Sequence, residues 1–151
     1  MQGNAASAPA RHTGQRQYST FFVGSLYFGV DVLDVQEVLR HQEMTPVPKA
    51  HGVIAGLINL RGQIVTAFDM RRRLNVAVDD SKPPMNFVIR TEEGAVSLLV
   101  DGIGDVIEVK GEDFEMPPKT VSEEAREIIE GVYKLDGRLL LVLSTDKVLQ
   151  T

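Results

Sequence analysis

The sequence predicts a mainly β fold, arranged as two small closed barrels packed side by side with a few short helical turns. Two observations lead there. Short runs of alternating or β-branched apolar residues are cut at regular intervals by glycine at hairpin positions. The chain also carries one unit twice. Gly56-Leu-Ile-Asn-Leu-Arg-Gly62 recurs as Gly131-Val-Tyr-Lys-Leu-Asp-Gly137 at an offset of 75 residues, and Ile64-Val65 falls over Leu139-Leu140 at the same offset. Upstream, Val35-Gln-Glu-Val38 lies over Ile103-Gly-Asp-Val106 at an offset of 68. The second copy therefore holds seven extra residues between the blocks, placed around Ser122–Glu130. A unit of roughly 60 residues with about five short strands suits a small barrel, and two such barrels bury faces that neither buries alone, leaving a groove between them. The expected division is a disordered tail over 1–17, a first repeat over about 18–75, a linker over about 76–85 and a second repeat over about 86–151.

The elements follow in order. Tyr18–Gly24 and Leu26–Val30 flank Gly24-Ser25 and read as a hairpin. In Asp31–Leu39 the valines at 32, 35 and 38 suit a helical turn by spacing and a strand by type, so a short helix running into a strand is expected. Met44–Pro48 carries two prolines and must be extended or turning. Val53–Leu60 and Gln63–Phe68 make a second hairpin around Arg61-Gly62, and Asp69 can cap a short helix over Met70–Leu74 because its carboxylate accepts free N–H groups. Strands are expected near Asn86–Thr91, Ala95–Asp101 and Ile103–Val109, with turns at Glu93-Gly94 and Asp101-Gly102. Phe114–Lys119 is a Pro-Pro loop, Ser122–Glu130 a helix with Ser122 as its cap, Gly131–Asp136 and Arg138–Leu143 a last hairpin, and Ser144–Leu149 a final turn.

Composition narrows the function. The chain of 151 residues is 43% hydrophobic and 25% charged, ordinary for a globular domain. It has no cysteine, so disulfides and thiolate metal sites are excluded, in keeping with a reducing, cytoplasmic setting. No apolar run reaches the roughly 20 residues that span a bilayer, so membrane insertion is not expected, and the first 17 residues lack the apolar core of a secretion signal. A net charge of −5 argues against nucleic acid as partner. The charge is uneven, +3 over residues 1–75 and −8 over 76–151, which can set how the protein faces its neighbours or simply be solvated surface.

No catalytic constellation emerges. The histidines are His12, His41 and His51, with no paired metal spacing. There is no Gly-x-Ser-x-Gly elbow, and Gly102-Ile-Gly104 lacks the third glycine of a dinucleotide loop. Glu112, Asp113 and Glu115 read as a solvated loop. Arg71, Arg72 and Arg73 spread around one helical turn, so a helix facing solvent is expected there. No enzyme, cofactor or metal is predicted.

The stretch Val35–Leu74 resembles the CheW family of chemotaxis coupling proteins. The informative elements are Val35-x-Glu37-Val38, Pro46-Val47-Pro48, Gly56-x-x-Asn59-Leu60-Arg61-Gly62 and Asp69-x-Arg71, followed by Leu98–Val106 and Gly131…Gly137-Arg138. The resemblance covers about Tyr18 to Leu149. It implies two five-stranded SH3-like barrels and a standalone, non-catalytic adaptor between methyl-accepting chemoreceptors and the histidine kinase CheA, cytoplasmic and recruited to membrane receptor arrays. It places receptor contact at Val35, Glu37 and Arg61 around an apolar inter-barrel groove able to hold a helix face. Val35 is equally suited to the core, Arg61 to bracing its turn, and Glu37 to pairing with Arg61 or with a receptor base. Kinase contact falls tentatively to Met44 and Val47, whose competing role is turn packing. Gly56, Gly62, Gly131 and Gly137 read as structural. His51, Thr66 and Ser97 stand where the family often shows proline, proline and glycine, which suggests a divergent member in a non-flagellar pathway. A different class of reading is a small-molecule or peptide sensor using the inter-barrel groove.

Overall fold

The computed structural model describes residues 14–49, 52–78 and 81–150. Among them the chain runs β1 (Gln15–Val23), β2 (Leu26–Asp31), a 3-10 turn (Val32–Asp34), β3 (Val35–Leu39), β4 (Ile54–Leu60), β5 (Gln63–Asp69) and α1 (Met70–Arg73). It continues as β6 (Met85–Thr91), β7 (Gly94–Val100), β8 (Gly102–Ile103), β9 (Ile107–Lys110), a 3-10 turn (Gly111–Asp113), α2 (Glu123–Arg126), β10 (Ile129–Leu135), β11 (Arg138–Leu143) and a last 3-10 turn (Lys147–Leu149). The mainly β expectation holds, and so does the turn running into a strand at Val32–Leu39.

Four boundaries differ from expectation. The first strand begins at Gln15, taking in residues assigned to the tail, because residues 15–18 pair with β9. The strand expected over Ile103–Val109 is two pieces, where Thr20 Oγ1 donates to the Asp105 carbonyl and Gly104 packs against Thr20. The β6–β7 turn sits at Glu92-Glu93, and Gly94 already belongs to β7. The helix expected to reach Glu130 stops at Arg126, since Ile129 and Glu130 join β10. Residues 1–13 and His51 lie outside the described residues.

Two sheets form, one ordered β10-β11-β2-β1-β8 with β9 also on β1, the other β3-β6-β7-β5-β4. The two halves of the sequence do not each make a barrel. Each lends its first hairpin to the other: β1–β2 joins the strands of the second half, and β6–β7 those of the first. The exchange obeys the repeat. The parallel pair Thr66↔Val96 that joins β5 to β7 has its counterpart in Leu141↔Phe28, which joins β11 to β2.

This exchange explains the sequence pattern. A hairpin with a barrel on one face and the neighbouring barrel on the other is buried on both, so its strands read as continuous apolar runs. Phe21, Phe28, Phe87, Ile89 and Leu98 meet in the core shared by the two sheets, where the Phe21 and Phe87 rings lie 4.8 Å apart. The opposite faces fill the barrels, with Tyr18, Tyr27, Tyr133, Leu140 and Val142 in one and Ile58, Leu60, Val65 and Val88 in the other. β4 and β5, buried on one face, keep the alternating pattern.

Each barrel closes through a single antiparallel bridge. Thr45 exchanges two backbone bonds with Leu57, at 2.8 and 2.9 Å, and Glu115 does the same with Val132, at 2.9 and 2.8 Å. The preceding residues, Gly56 and Gly131, sit at equivalent bulges. A methyl group at Gly56 would lie 2.7 Å from the Thr45 carbonyl oxygen, and at Gly131 2.3 Å from Phe114 Cζ and 2.6 Å from the Glu115 carbonyl oxygen. Closure thus requires a residue without a side chain at both places.

A buried charge network ties one barrel to the other. Asp69, 3% exposed, caps α1 by accepting the Arg71 N–H at 3.0 Å, and also accepts from Arg71 Nε at 3.0 Å and Nη2 at 3.2 Å. Arg71 Nη1 reaches Asp101 at 3.7 Å, and Asp101 accepts the Gly24 N–H at 2.6 Å from the tip of the other barrel's β1–β2 hairpin. Arg73 reaches Glu127 and the Gln150 carbonyl, and Arg72 the Gly52 carbonyl. The three arginines therefore do not simply face solvent, as their spacing suggested: Arg71 is 6% exposed.

Gly131→Ala is expected to destabilise the fold by about 1–3 kcal/mol through overpacking, lowering Tm by about 5 °C, whereas Gly52→Ala, with nothing near its Cβ, leaves Tm unchanged. Asp69→Ala removes the nearer carboxylate from a buried guanidinium together with a helix cap, so urea denaturation is expected to show a loss of about 3 kcal/mol.

Candidate functional site

Val35, Glu37 and Arg61 come together at one end of the barrel made by β3, β6, β7, β5 and β4. β3 is one edge of that sheet and β4 the other. The register of β3 against β6 slips between Val35 and Glu37, a bulge that re-aims the side chains around it. Arg61 occupies the tip of the β4–β5 hairpin, and its φ of 54°, followed by 87° at Gly62, makes a turn with two left-handed residues that matches the twist of the strands. The Asn59 side chain accepts the Gly62 N–H at 2.9 Å and fixes the turn.

From there the Arg61 guanidinium reaches across the barrel mouth. Nη1 donates to one Glu37 oxygen at 2.7 Å and Nη2 to the other at 2.5 Å, a bidentate pair that joins the two sheet edges. Arg61 remains 73% exposed, while Glu37 is covered to 17%. The Arg61 hydrogen bonds hold the Glu37 carboxyl below its usual range, and the same pair raises the Arg61 guanidinium further above its own. Of the two partners open to Glu37 in the sequence, the structure supplies Arg61.

Val35 is half-buried and packs against the shared core, so it serves as core and as rim at once. Its carbonyl accepts from Arg90 at 2.7 Å, as does the Leu33 carbonyl at 3.2 Å, which pins the approach to β3. Leu33 stands 76% exposed beside it, a residue that sequence reasoning passed over because its run read as ordinary helix or strand.

One groove, lined by residues from both sheets, is charged where an apolar inter-barrel groove was expected. It holds about 530 Å³ and is lined by Asp34, Arg90, Thr91, Glu92, Glu130, Thr145 and Asp146. Four carboxylates make it charged, because the apolar faces that might have lined it are consumed in the shared core. Val35, Glu37 and Arg61 stand outside this lining, with Asp34 the link between them and the groove.

Met44 and Val47 flank the Thr45 bridge on the opposite edge. Met44 is half-buried against Ile58, Leu60, Val65 and Val88, and Val47 is 37% exposed. Beside them a depression of about 380 Å³ is lined by Gln42, Glu43, Met44, Thr45, Leu57 and Asn59. Ser97 is buried and donates to Asn86 Oδ1 at 2.8 Å, while Asn86 donates to the Arg40 carbonyl, so the Ser97 hydroxyl is satisfied inside the barrel. Thr66 lies on β5 opposite Leu57.

The lowered Glu37 carboxyl gives a pH test. A group held below its unfolded value stabilises the fold above the ordinary carboxylate range, and loses that contribution as pH falls through its folded value. Carbon-detected NMR titration is expected to place Glu37 below the usual value of about 4.3, and Arg61→Gln to return it there. An unshifted Glu37 in the unsubstituted protein means that the pair does not form in solution.

Known proteins resemble the chain over most of its length. The CheW-like domain family matches residues 17–151. The chain is 30% identical over 142 residues to the chemotaxis protein CheW of Rhizobium meliloti, covering 92% of each chain. It is 29% identical to that of Thermotoga maritima, covering 87% of this chain and 85% of that one. The crystal structure of the scaffolding protein TtCheW from Thermoanaerobacter tengcongensis superposes with a TM-score of 0.77 at 26% identity, over 85% of this chain and 88% of that one. Paired SH3-like barrels, the family's arrangement, are what the two closed sheets amount to, and the chain belongs to the CheW family.

Proposed function

We propose that this chain is a non-catalytic adaptor that couples methyl-accepting chemoreceptors to the histidine kinase CheA. The match to the CheW-like domain family over 17–151 carries the reading. Relatives named as chemotaxis proteins and a solved relative named as a scaffolding protein support it. The adaptor is favoured over a sensor of small molecules. No helix among the described residues is long and apolar enough to cross a membrane, so the adaptor would reach receptor arrays by binding their cytoplasmic tips.

Receptor contact is assigned to Val35, Glu37 and Arg61. A receptor tip is a helical hairpin, and a rigid strand edge with one exposed cation and flanking apolar groups offers a helix face both area and register. Leu33 adds exposed apolar surface next to Val35. Kinase contact is assigned to Met44 and Val47, where the strand edge at Thr45 carries one bridge only and leaves room for a partner surface. The kinase element facing it is the kinase's own CheW-like domain.

Calorimetric titration with that kinase domain is expected to give a complex of modest affinity, as suits an interface near or below about 1,200 Å². No complex at high micromolar concentration would sink the adaptor reading. Arg61→Glu places two carboxylates across the barrel mouth. It is expected to weaken capture of a receptor tip fragment with the folded state retained, as judged by pull-down beside far-UV circular dichroism. Equal capture removes Arg61 from the site.

A further inference from the structure

The segment that leads from β2 into β3 is held more by hydrogen bonds than by packing. From Val32 to Arg40 no side chain is fully buried, and the 3-10 turn Val32–Asp34 has no buried residue at all. Two arginines, one from each sheet, hold this turn. Arg16 on β1 pairs with one oxygen of Asp31, whose other oxygen accepts the Leu33 N–H at 2.9 Å. Arg90 on β6 donates from Nη1 to the Leu33 carbonyl at 3.2 Å and to the Val35 carbonyl at 2.7 Å. Both backbone groups of Leu33 are therefore taken, while its side chain stands 76% exposed. An apolar side chain on such a backbone leaves the chain in a fixed direction before any partner arrives.

The Arg90 contacts do more for direction than for stability. The two carbonyls lie near the surface, so water replaces the guanidinium there at small cost to the fold. Their place in the chain is what counts. They flank Asp34 and stand just before the register slip between Val35 and Glu37, where the strand bends and its side chains are re-aimed. Arg90 is also the one cation among the residues that line the charged groove, beside Asp34, Glu92, Glu130 and Asp146, which offset its charge within the molecule.

We infer that Arg90 is a positioning residue for receptor docking, which sets, through the Leu33 and Val35 carbonyls, the direction in which those two apolar side chains meet the receptor helix. This rests on the receptor reading above and adds a residue that stands behind the contact. An edge aimed in advance loses less ordering entropy on docking. Lysine keeps a charged donor on a long stem and replaces part of this action, whereas methionine keeps an apolar stem with no donor.

The test uses the full chain and a helical-hairpin fragment of a methyl-accepting receptor tip, titrated by calorimetry well below Tm, where every variant is folded. Arg90→Met is expected to lower Tm by a few degrees at most and to weaken binding about fivefold, and Arg90→Lys to recover most of that loss. Amide exchange followed by NMR should quicken at Leu33 and Val35 in Arg90→Met and stay unchanged in β10 and β11. In a cycle with Leu33→Ala, the double variant should lose less than the sum of the two single losses, because Arg90 acts through Leu33 and Val35. Unchanged binding by Arg90→Met overturns the assignment and leaves Arg90 a strut of the fold. Losses that add in full also overturn it, since Arg90 then touches the receptor itself. Failure of the unsubstituted chain to bind the fragment overturns the receptor reading, and this assignment with it.

Discussion

The exchange of hairpins between the two halves is the constraint on which the rest depends. β1–β2 and β6–β7 must satisfy two environments at once, a barrel interior and a core shared with the other barrel. Phe21, Phe28 and Phe87 are fully buried in that shared layer, and each such side chain contributes about 1.5–3 kcal/mol on burial. The layer consumes the apolar faces of both sheets. What is left for the groove lined by Asp34, Arg90, Glu92, Glu130 and Asp146 is polar, and the remaining exposed apolar and charged side chains lie at strand edges and hairpin tips.

Two arginines show how the same chemistry is placed in a buried and in an exposed setting. Arg71 is buried beside Asp69 with Asp101 at 3.7 Å, and losing the Asp69 carboxylate would remove the nearer counter-charge from a low-dielectric place. Arg61 makes an equally well-shaped pair with Glu37, but in water, where such a pair adds little to stability. The pair orders the exposed Arg61 guanidinium across the barrel mouth and fixes one rotamer of a long side chain.

Much of this was legible in the residues. The glycine anchors at 56, 62, 131 and 137 marked equivalent hairpins, and Asp69 before Met70 announced a cap that is present. The exchange itself was not legible, because pairing between distant strands leaves no local signature. The continuous runs in Phe21–Val23 and Leu98–Val100 carried a hint of burial on both faces, but hairpin position dominated the reading. Arg71 was misread for a related reason: three consecutive arginines look solvated unless Asp101, thirty positions away, is known to sit beside them. The Glu37–Arg61 pairing was open among alternatives, since only the barrel's closure brings its two edges face to face. The charged character of the groove was missed because Asp34, Glu92, Glu130 and Asp146 are scattered along the chain.

The parallel pairing of β2 with β11 also governs how the protein is born. β1–β2 is made about a hundred residues before the strand that covers its flank, Arg138–Leu143. Phe21 and Phe28 gain Phe87 only once β6 has been made, and the same hairpin cannot complete its barrel until β11 has been made. Contacts this distant in sequence also slow folding once the chain is free. Assembly of that barrel thus waits for β11, and a chain lacking it would present the unpaired flank of β2 in search of a substitute edge.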